Sequence, residues 1–467
     1  MNSQEAWQKQ FERMEFYRKN HLDLVLRKKM RSEGEKLNEI GIFNLPVDKS
    51  LGYIRLRPED FIVEEVTKDG KISRVNDLEI TNGETNHEDG NTLYCKLIKI
   101  GIPTNVAIER IAQHLNIEQN KIGRSGLKDA EAITSQQISF PNIKISVEEI
   151  IKIKIPNVFL SGFYYGKGSL SPGDLKANKF TLIIRTKEPV DEKFAVKVDT
   201  IKKFGVLNYY QSQRFGGLRL LSHKLGKLIM QGEYELAVKY YLFKNVADDI
   251  PLIINLRRRA EKAFPNWEVI EQIYEELPYT FFNEIRLLNY LIENPKNYIG
   301  GLINLEDQTQ LWVYAYSSWL FNKYLSAYTK VNGCVNEAFP LLTSDDAADI
   351  KIYSKYLAED KTEDFIKNLQ PFKFIQFKKR LVDGRVFPQN IFYQSFNGGV
   401  VISFILPKGC YATTVLINLF ELAQGQPFPD WLKAESIDPL EIMKQGSLKG
   451  LKEVFKDYWI SKADLMN

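Results

Sequence analysis

Asp129 lies in the stretch Gly123-Arg-Ser-Gly-Leu-Lys-Asp-Ala-Glu-Ala-Ile-Thr-Ser-Gln-Gln137, which runs into an alternation of apolar and polar residues through Ile138 and Phe140. The alternation predicts a half-buried strand. Gly123 and Gly126 admit backbone conformations that other residues avoid, so the carboxylate is expected at the rigid edge of a turn. A short acidic side chain stays close to its backbone and can be aimed as nucleophilic attack requires. An Asp in a turn also commonly hydrogen-bonds its own backbone, and this stretch by itself leaves both uses open. A second group, Asn208-Tyr-Tyr-Gln-Ser-Gln-Arg-Phe-Gly216, gathers amide, phenol and guanidinium around a turn, the combination that holds an extruded base and its phosphate. Glu59, Asp60 and Glu65 form a rival acidic cluster for acid–base work. Adjacent residues on a strand point to opposite faces, which argues against Glu59 and Asp60 acting as a pair.

These blocks, in this order, resemble the TruD family of pseudouridine synthases. The family signature Gly-x-Lys-Asp followed by Ala-x-Thr-x-Gln is matched by Gly126, Lys128, Asp129, Ala132, Thr134 and Gln136. Pro58-Glu-Asp-Phe-Ile-Val-Glu-Glu65 lies upstream, and the Asn208 block and Leu406-Pro-Lys-Gly-Cys-Tyr-Ala-Thr413 lie downstream. The resemblance runs from about Gly52 to about Phe420. It departs from the family pattern at Arg55 (a lysine in the family), Ala130 (a basic residue), Gln211 (a glycine), Ala177-Asn178 (Gly-Asn) and Asn418 (an arginine).

The resemblance implies an α+β fold: a catalytic domain with a mixed, largely antiparallel sheet and flanking helices, interrupted by a TruD-type inserted domain, with the site in a cleft between them. It implies isomerisation of a uridine in tRNA, uridine 13 of the D stem, to pseudouridine. That reaction breaks the bond from N1 to C1′, turns the base and joins C5 to C1′. It involves no net redox change, so no cofactor and no metal is expected. Asp129 is the implied nucleophile. Arg55 either pairs with its carboxylate and holds it ionised or is an exposed strand arginine. Lys128, Asn208, Tyr210 and Arg214 complete the expected substrate-binding set, although in an extended segment Lys128 points away from the Asp129 side. The Pro58–Glu65 acids are then structural, Tyr209 and Phe215 pack in a core, and Thr413 caps a following helix. A non-catalytic tRNA-binding protein or RNA chaperone on the same fold is the alternative. A carboxylate-dependent glycosidase or nuclease is a third class.

The rest of the composition is consistent with such a protein without demanding it. At 467 residues, with 44% hydrophobic and 26% charged residues, the chain predicts more than one globular unit. It has no apolar run long enough for a membrane span and no visible secretory signal, so a cytoplasmic site is expected, or a nuclear one in a eukaryote. Three cysteines and four histidines, at His21, His87, His114 and His223, are scattered, which excludes zinc spacings and gives no Ser-His-Asp arrangement. A net charge of only +4 places RNA binding in local patches: Arg27-Lys-Lys29 with Arg31, Arg257-Arg-Arg259, and Lys378-Lys-Arg380. The expected partners are tRNA and other structured RNA, with no membrane and no obligate protein partner.

Three segments must position the site. Residues 1–48 read as a helical extension, with Trp7, Phe11, Met14 and Tyr17 recurring at helical spacing and packing onto the body. Residues 49–220 and 372–467 read as the catalytic domain, with strands around Leu93–Leu97, Phe159–Tyr165, Phe180–Arg185 and Val400–Phe404. Thr104 is expected to cap a helix through Leu115, and a second helix spans Asp191 to Phe204. The polar stretch Thr67–Asn91 reads as a loop. Residues 221–371 read as a helical insertion, with helices near Tyr234–Phe243, Leu256–Phe264, Trp267–Leu277, Phe281–Ile292 and Asp307–Tyr328. Strands and helices without strict βαβ alternation predict α+β architecture rather than a doubly wound one.

Overall fold

In the computed structural model, residues 3–46, 48–79, 90–142, 147–152, 154–333 and 335–459 are described. His87, Cys334 and positions 80–89 of the polar stretch lie outside them. The chain divides into two compact units, Pro46–Val206 with Val386–Asn467, and Met1–Leu45 with Leu207–Arg385.

The first unit is built on a ten-stranded sheet, because its β-branched and aromatic runs satisfy their backbone groups by pairing and bury side chains on both faces. Its strands are β1 (Ser50–Tyr53), β2 (Phe61–Val66), β3 (Thr92–Ile100), β4 (Gly123–Arg124), β5 (Ile133–Pro141), β6 (Val158–Gly166), β7 (Ala177–Thr186), β8 (Gln389–Phe396), β9 (Gly399–Pro407) and β10 (Phe420–Ala423). The order is β8-β9-β7-β2-β5-β3-β6, with β1 pairing β7 and β10, and β4 pairing β5. Only β2–β5 and β1–β10 are parallel. The sheet is therefore mixed and largely antiparallel.

Alternation along the central strands sends side chains to two different coverings. Phe61 and Val63 join Leu182, Ile184, Val400 and Ile402 in a core shared with Phe194 and Val198 of helix Glu192–Phe204, which Asp191 caps by accepting from Phe194 N. Leu93, Cys95 and Leu97 pack with Ala107, Ile108 and Ile111 of helix α1 (Thr104–His114) and with Ile138 and Phe140. Ile62, Ile98, Ile100 and Ile133 are instead covered by Leu440, Leu448, Leu451 and Phe455 from the C-terminal segment, which falls outside the stretch that resembles the family.

The Pro58–Glu65 acids hold this framework. Asp60 takes two hydrogen bonds from the Arg185 guanidinium, at 2.7 and 3.1 Å, and one from Leu56 N at 2.9 Å. Glu59 accepts from Ser436 Oγ at 2.7 Å and Trp459 Nε1 at 2.8 Å, and Glu64 pairs with Lys179 at 2.7 Å. Two capping expectations differ from the structure. Helix α1 is preceded by Pro103, and Thr104 spends its hydroxyl elsewhere. Thr413 lies inside the short helix Ala412–Leu416, which Tyr411 precedes.

The second unit is helical, with a core of large side chains including Leu225, Ile229, Leu256, Ile270, Leu287 and Trp312. Helices α2 (Ser222–Met230) and α3 (Glu306–Asn332) touch along Gly226, where an added Cβ would lie 2.0 Å from the Trp312 carbonyl oxygen. The N-terminal helix Ser3–Asn20 belongs to this unit and packs on it through Met14 and Tyr17, with Lys9 paired to Glu275 at 2.9 Å. Trp7 and Phe11 do not follow the expected stripe: they stack on each other at 5.3 Å and are exposed, while Ala6 is buried. Residues 207–220 and 372–385, read from the sequence with the catalytic domain, group with this helical unit, as do residues 1–45.

Two of the expected basic patches are partly used up in structure. Arg257 is buried against Glu284 at 2.8 Å and donates to the Tyr241 carbonyl. Arg31 binds the buried Asp248 at 2.6 Å.

Candidate active site

The loop between β4 and β5 is held from several directions by elements distant in sequence. Ser125 O accepts from Gly173 N at 2.7 Å, and Gly126 O accepts from Gln136 Nε2 of β5 at 3.0 Å. Lys128 N donates to the Thr104 hydroxyl at 2.9 Å, so Thr104 anchors this loop instead of capping its helix. Asp129 O accepts from Lys99 Nζ of β3 at 2.6 Å. With its backbone tied, the loop presents Leu127 to solvent at 69% exposure and turns Lys128 inward.

The Asp129 carboxylate meets the Arg55 guanidinium, with Nη2 donating to Oδ2 at 2.5 Å. Arg55 follows β1, and its φ is +59°, a conformation that costs a residue with a Cβ on the order of 1–3 kcal/mol and is kept only where the surroundings enforce it. Those surroundings are the Phe61 ring, 4.0 Å from the guanidinium carbon, and Gln424 Oε1, which accepts from Nη1 at 3.2 Å. A rigid fork spread over three partners aims the carboxylate where a flexible ammonium would tether it more loosely. The Asp129 side chain keeps 15% of its surface exposed and Arg55 only 9%, so the acid is paired yet open on one side.

Lys128 differs from the substrate contact expected of it. Its ammonium is buried and pairs with Glu65 at 2.7 Å, while the other Glu65 oxygen accepts from Gln137 N and Ser125 Oγ, at 3.1 and 3.3 Å. The two neighbours in the loop turn to different partners, Asp129 to Arg55 and Lys128 to the acid of β2. Its geometry is that of framework beneath the loop.

Asn208, Tyr210 and Arg214 belong to the helical unit. Asn208 donates through its backbone to Gly384 O at 3.0 Å and through Nδ2 to Asp383 O at 2.9 Å. Tyr210 exchanges two backbone bonds with the buried amide of Asn322, both 2.9 Å, and packs edge-on against Phe321. Arg214 lies 5.7 Å over the Tyr210 ring and donates to Ser318 Oγ at 3.0 Å. Tyr210 and Arg214 are thus held by α3, and Asn208 by the Asp383 and Gly384 carbonyls. Tyr209 and Phe215 are core residues, as expected. No group of metal-ligating side chains occurs among the described residues, and no described helix is long and apolar enough to cross a membrane.

The family model for tRNA pseudouridine synthase D (TruD) matches residues 40–340, more than half of the chain. This chain belongs to the TruD family. It is 28% identical over 382 residues to a probable tRNA pseudouridine synthase D of Methanocaldococcus jannaschii, covering 79% of this chain and 95% of that protein. A relative in Thermococcus sibiricus with the same description is 26% identical over 431 residues, again 79% of this chain and 95% of that protein. The crystal structure of a putative TruD from Methanosarcina mazei superposes with a TM-score of 0.59 at 22% identity, over 82% of this chain and 97% of that one, which shows a shared fold. The TruD fold in this chain is the mixed α+β architecture described above.

Lys99, Thr104, Glu65 and Gln136 were not read from the sequence as parts of the site. A signal existed for Lys99: in Leu97-Ile98-Lys99-Ile100 a lysine interrupts a strand that is otherwise apolar at this end, and a buried cation there must have acceptors.

Proposed function

We propose that this TruD-family enzyme isomerises a uridine in the D stem of tRNA, at position 13, with Asp129 as the nucleophile at C1′. The observation that carries the reading is the Arg55–Asp129 pair: a partly exposed carboxylate on an immobilised loop, paired with a guanidinium at 2.5 Å. Asp129 attacks C1′ or assists the departure of uracil, the base turns without leaving, C5 replaces N1 on the sugar, and the proton then lost from C5 is balanced by one gained at N1. The uridine must leave its helical stack first, which costs a few kcal/mol, and the Asn208–Arg214 segment is read as an RNA-binding group of the helical unit. Arg214 meets a phosphate. The sheet unit is the catalytic domain in this reading, the helical unit is the TruD-specific insertion, and the enzyme acts in the cytoplasm. The descriptions of the relatives support tRNA as the substrate.

The test is to incubate the purified chain with uridine-labelled tRNA and map pseudouridine. Asp129→Ala is expected to reduce its formation on the order of a thousandfold or more while tRNA still binds. Turnover at the normal rate in that variant would overturn the assignment. Wild-type binding without product would mark a non-catalytic RNA-binding protein, and released uracil or cut strands would mark a glycosidase or nuclease.

A further inference from the structure

Lys99 is 0% exposed, near the C-terminal end of β3, paired in register with Thr134 of β5 and Val158 of β6. Its Nζ donates to the carbonyl oxygen of Asp129 at 2.6 Å and to that of Ile102 at 2.7 Å. One contact reaches the candidate nucleophile's own peptide unit, and the other clamps the turn that leads into α1. We propose that Lys99 is a positioning residue for the TruD reaction: it fixes the backbone from which the Asp129 carboxylate projects, and its charge acts on that carboxylate from within the sheet. This rests on the reading of Asp129 as nucleophile.

The side chain is more than a structural clip would require. Burying an ammonium costs several kcal/mol, whereas a neutral donor could hold a carbonyl without that penalty. Burial pulls Lys99 down to about 7, opposed by the Asp129 carboxylate and assisted by the Lys128 ammonium. Arg55 and Glu65 stand one step away, each bonded to one of those two groups. β5 carries no acid or base, and the Val158–Phe159 end of β6 that faces Lys99 carries none either.

A neutral amine still has two N–H groups for its two carbonyls, so losing the proton changes the field at Asp129 and leaves the geometry intact. The field matters because attack on C1′ forms the carboxylate O–C1′ bond as the C1′–N1 bond breaks, so the negative charge moves from the carboxylate to the departing uracil. A nearby cation stabilises the ionised acid more than the covalent adduct, so the attacking step speeds up as Lys99 loses its proton.

The experiment is single-turnover pseudouridine formation on tRNA as a function of pH, for wild type, Lys99→Met and Lys99→Arg, with folding checked by thermal melting and tRNA affinity measured separately. Wild type is expected to show a rate constant that rises through an inflection near pH 7. Lys99→Met is expected to bind tRNA within about twofold of wild type, to lose about 10- to 100-fold in rate and to lack the inflection. Lys99→Arg, charged at every pH tested, is expected to lack it as well. A folded Lys99→Met with the wild-type rate and profile overturns the proposal, and so does an inflection that persists in Lys99→Arg. Should neither variant fold, a flat wild-type profile overturns it and an inflection near neutrality supports it. A wild type that makes no pseudouridine at any pH, or an Asp129→Ala that turns over normally, sinks the nucleophile reading instead and is recognised before any Lys99 variant is compared.

Discussion

The contacts of Arg55 show what a guanidinium does beside Asp129. The guanidinium reaches Asp129, Gln424 and the face of Phe61 together, which a single ammonium cannot. Arg55→Lys is therefore expected to keep the charge beside Asp129 and to lose aim, lowering the single-turnover rate about 3- to 10-fold. Arg55→Ala, which removes the fork that aims the carboxylate, is expected to lower it about 100-fold or more at unchanged tRNA affinity. Equal rates for Arg55→Ala and wild type would show that the pair has no part in the chemistry. The positive φ at this position is shared by all these variants, so backbone strain does not separate them.

Among elements, the loop before β5 depends on what lies beneath it. The buried Lys128–Glu65 pair sits between that loop and β2, and removing one partner leaves the other charge without compensation. Lys128→Met is expected to destabilise the fold by about 3–5 kcal/mol, read from the denaturant midpoint, and the double variant Lys128→Met with Glu65→Gln is expected to recover part of that. A midpoint unchanged in Lys128→Met would contradict a framework role. In the helical unit, Gly226 lies in a tight contact between α2 and α3. Gly226→Ala puts a methyl group against backbone, not against a movable side-chain tip. The helices must separate there, and a loss of about 1–3 kcal/mol is expected in thermal melts.

At the scale of the whole molecule, pH acts on stability through a buried imidazole in the helical unit. His223 lies between Trp319, stacked at 6.0 Å, and Phe215, edge-on at 5.3 Å. Burial, with Lys224 and Lys227 adding to it, pushes its imidazole from 6.5 down to about 3. Between those values the unfolded chain binds a proton that the folded chain refuses, so stability is full above pH 6.5 and falls as pH drops toward about 3. His223→Phe, which keeps a ring in the stack and removes the titration, is expected to melt with a shallower acid dependence over that range. An identical slope in both proteins would place the acid sensitivity elsewhere.

The chain's local order carried the motif blocks, the α+β class and most helix positions, because a period of 2 or 3.6 and a run of apolar residues are properties of neighbours in sequence. The same blocks were enough to suggest Arg55 as the partner of Asp129. Local order could not reveal that Lys128 pairs with Glu65, that Thr104 leaves its helix end to hold a loop, or that Lys99 reaches the carbonyl of Asp129. Each of those contacts joins residues separated by many positions, and the partner of a buried polar group is decided by which strands become neighbours. For the same reason Trp7 and Phe11 read as a buried stripe but lie exposed. Periodicity shows that a helix has an apolar side, and the tertiary surface against which it packs selects the face that is covered.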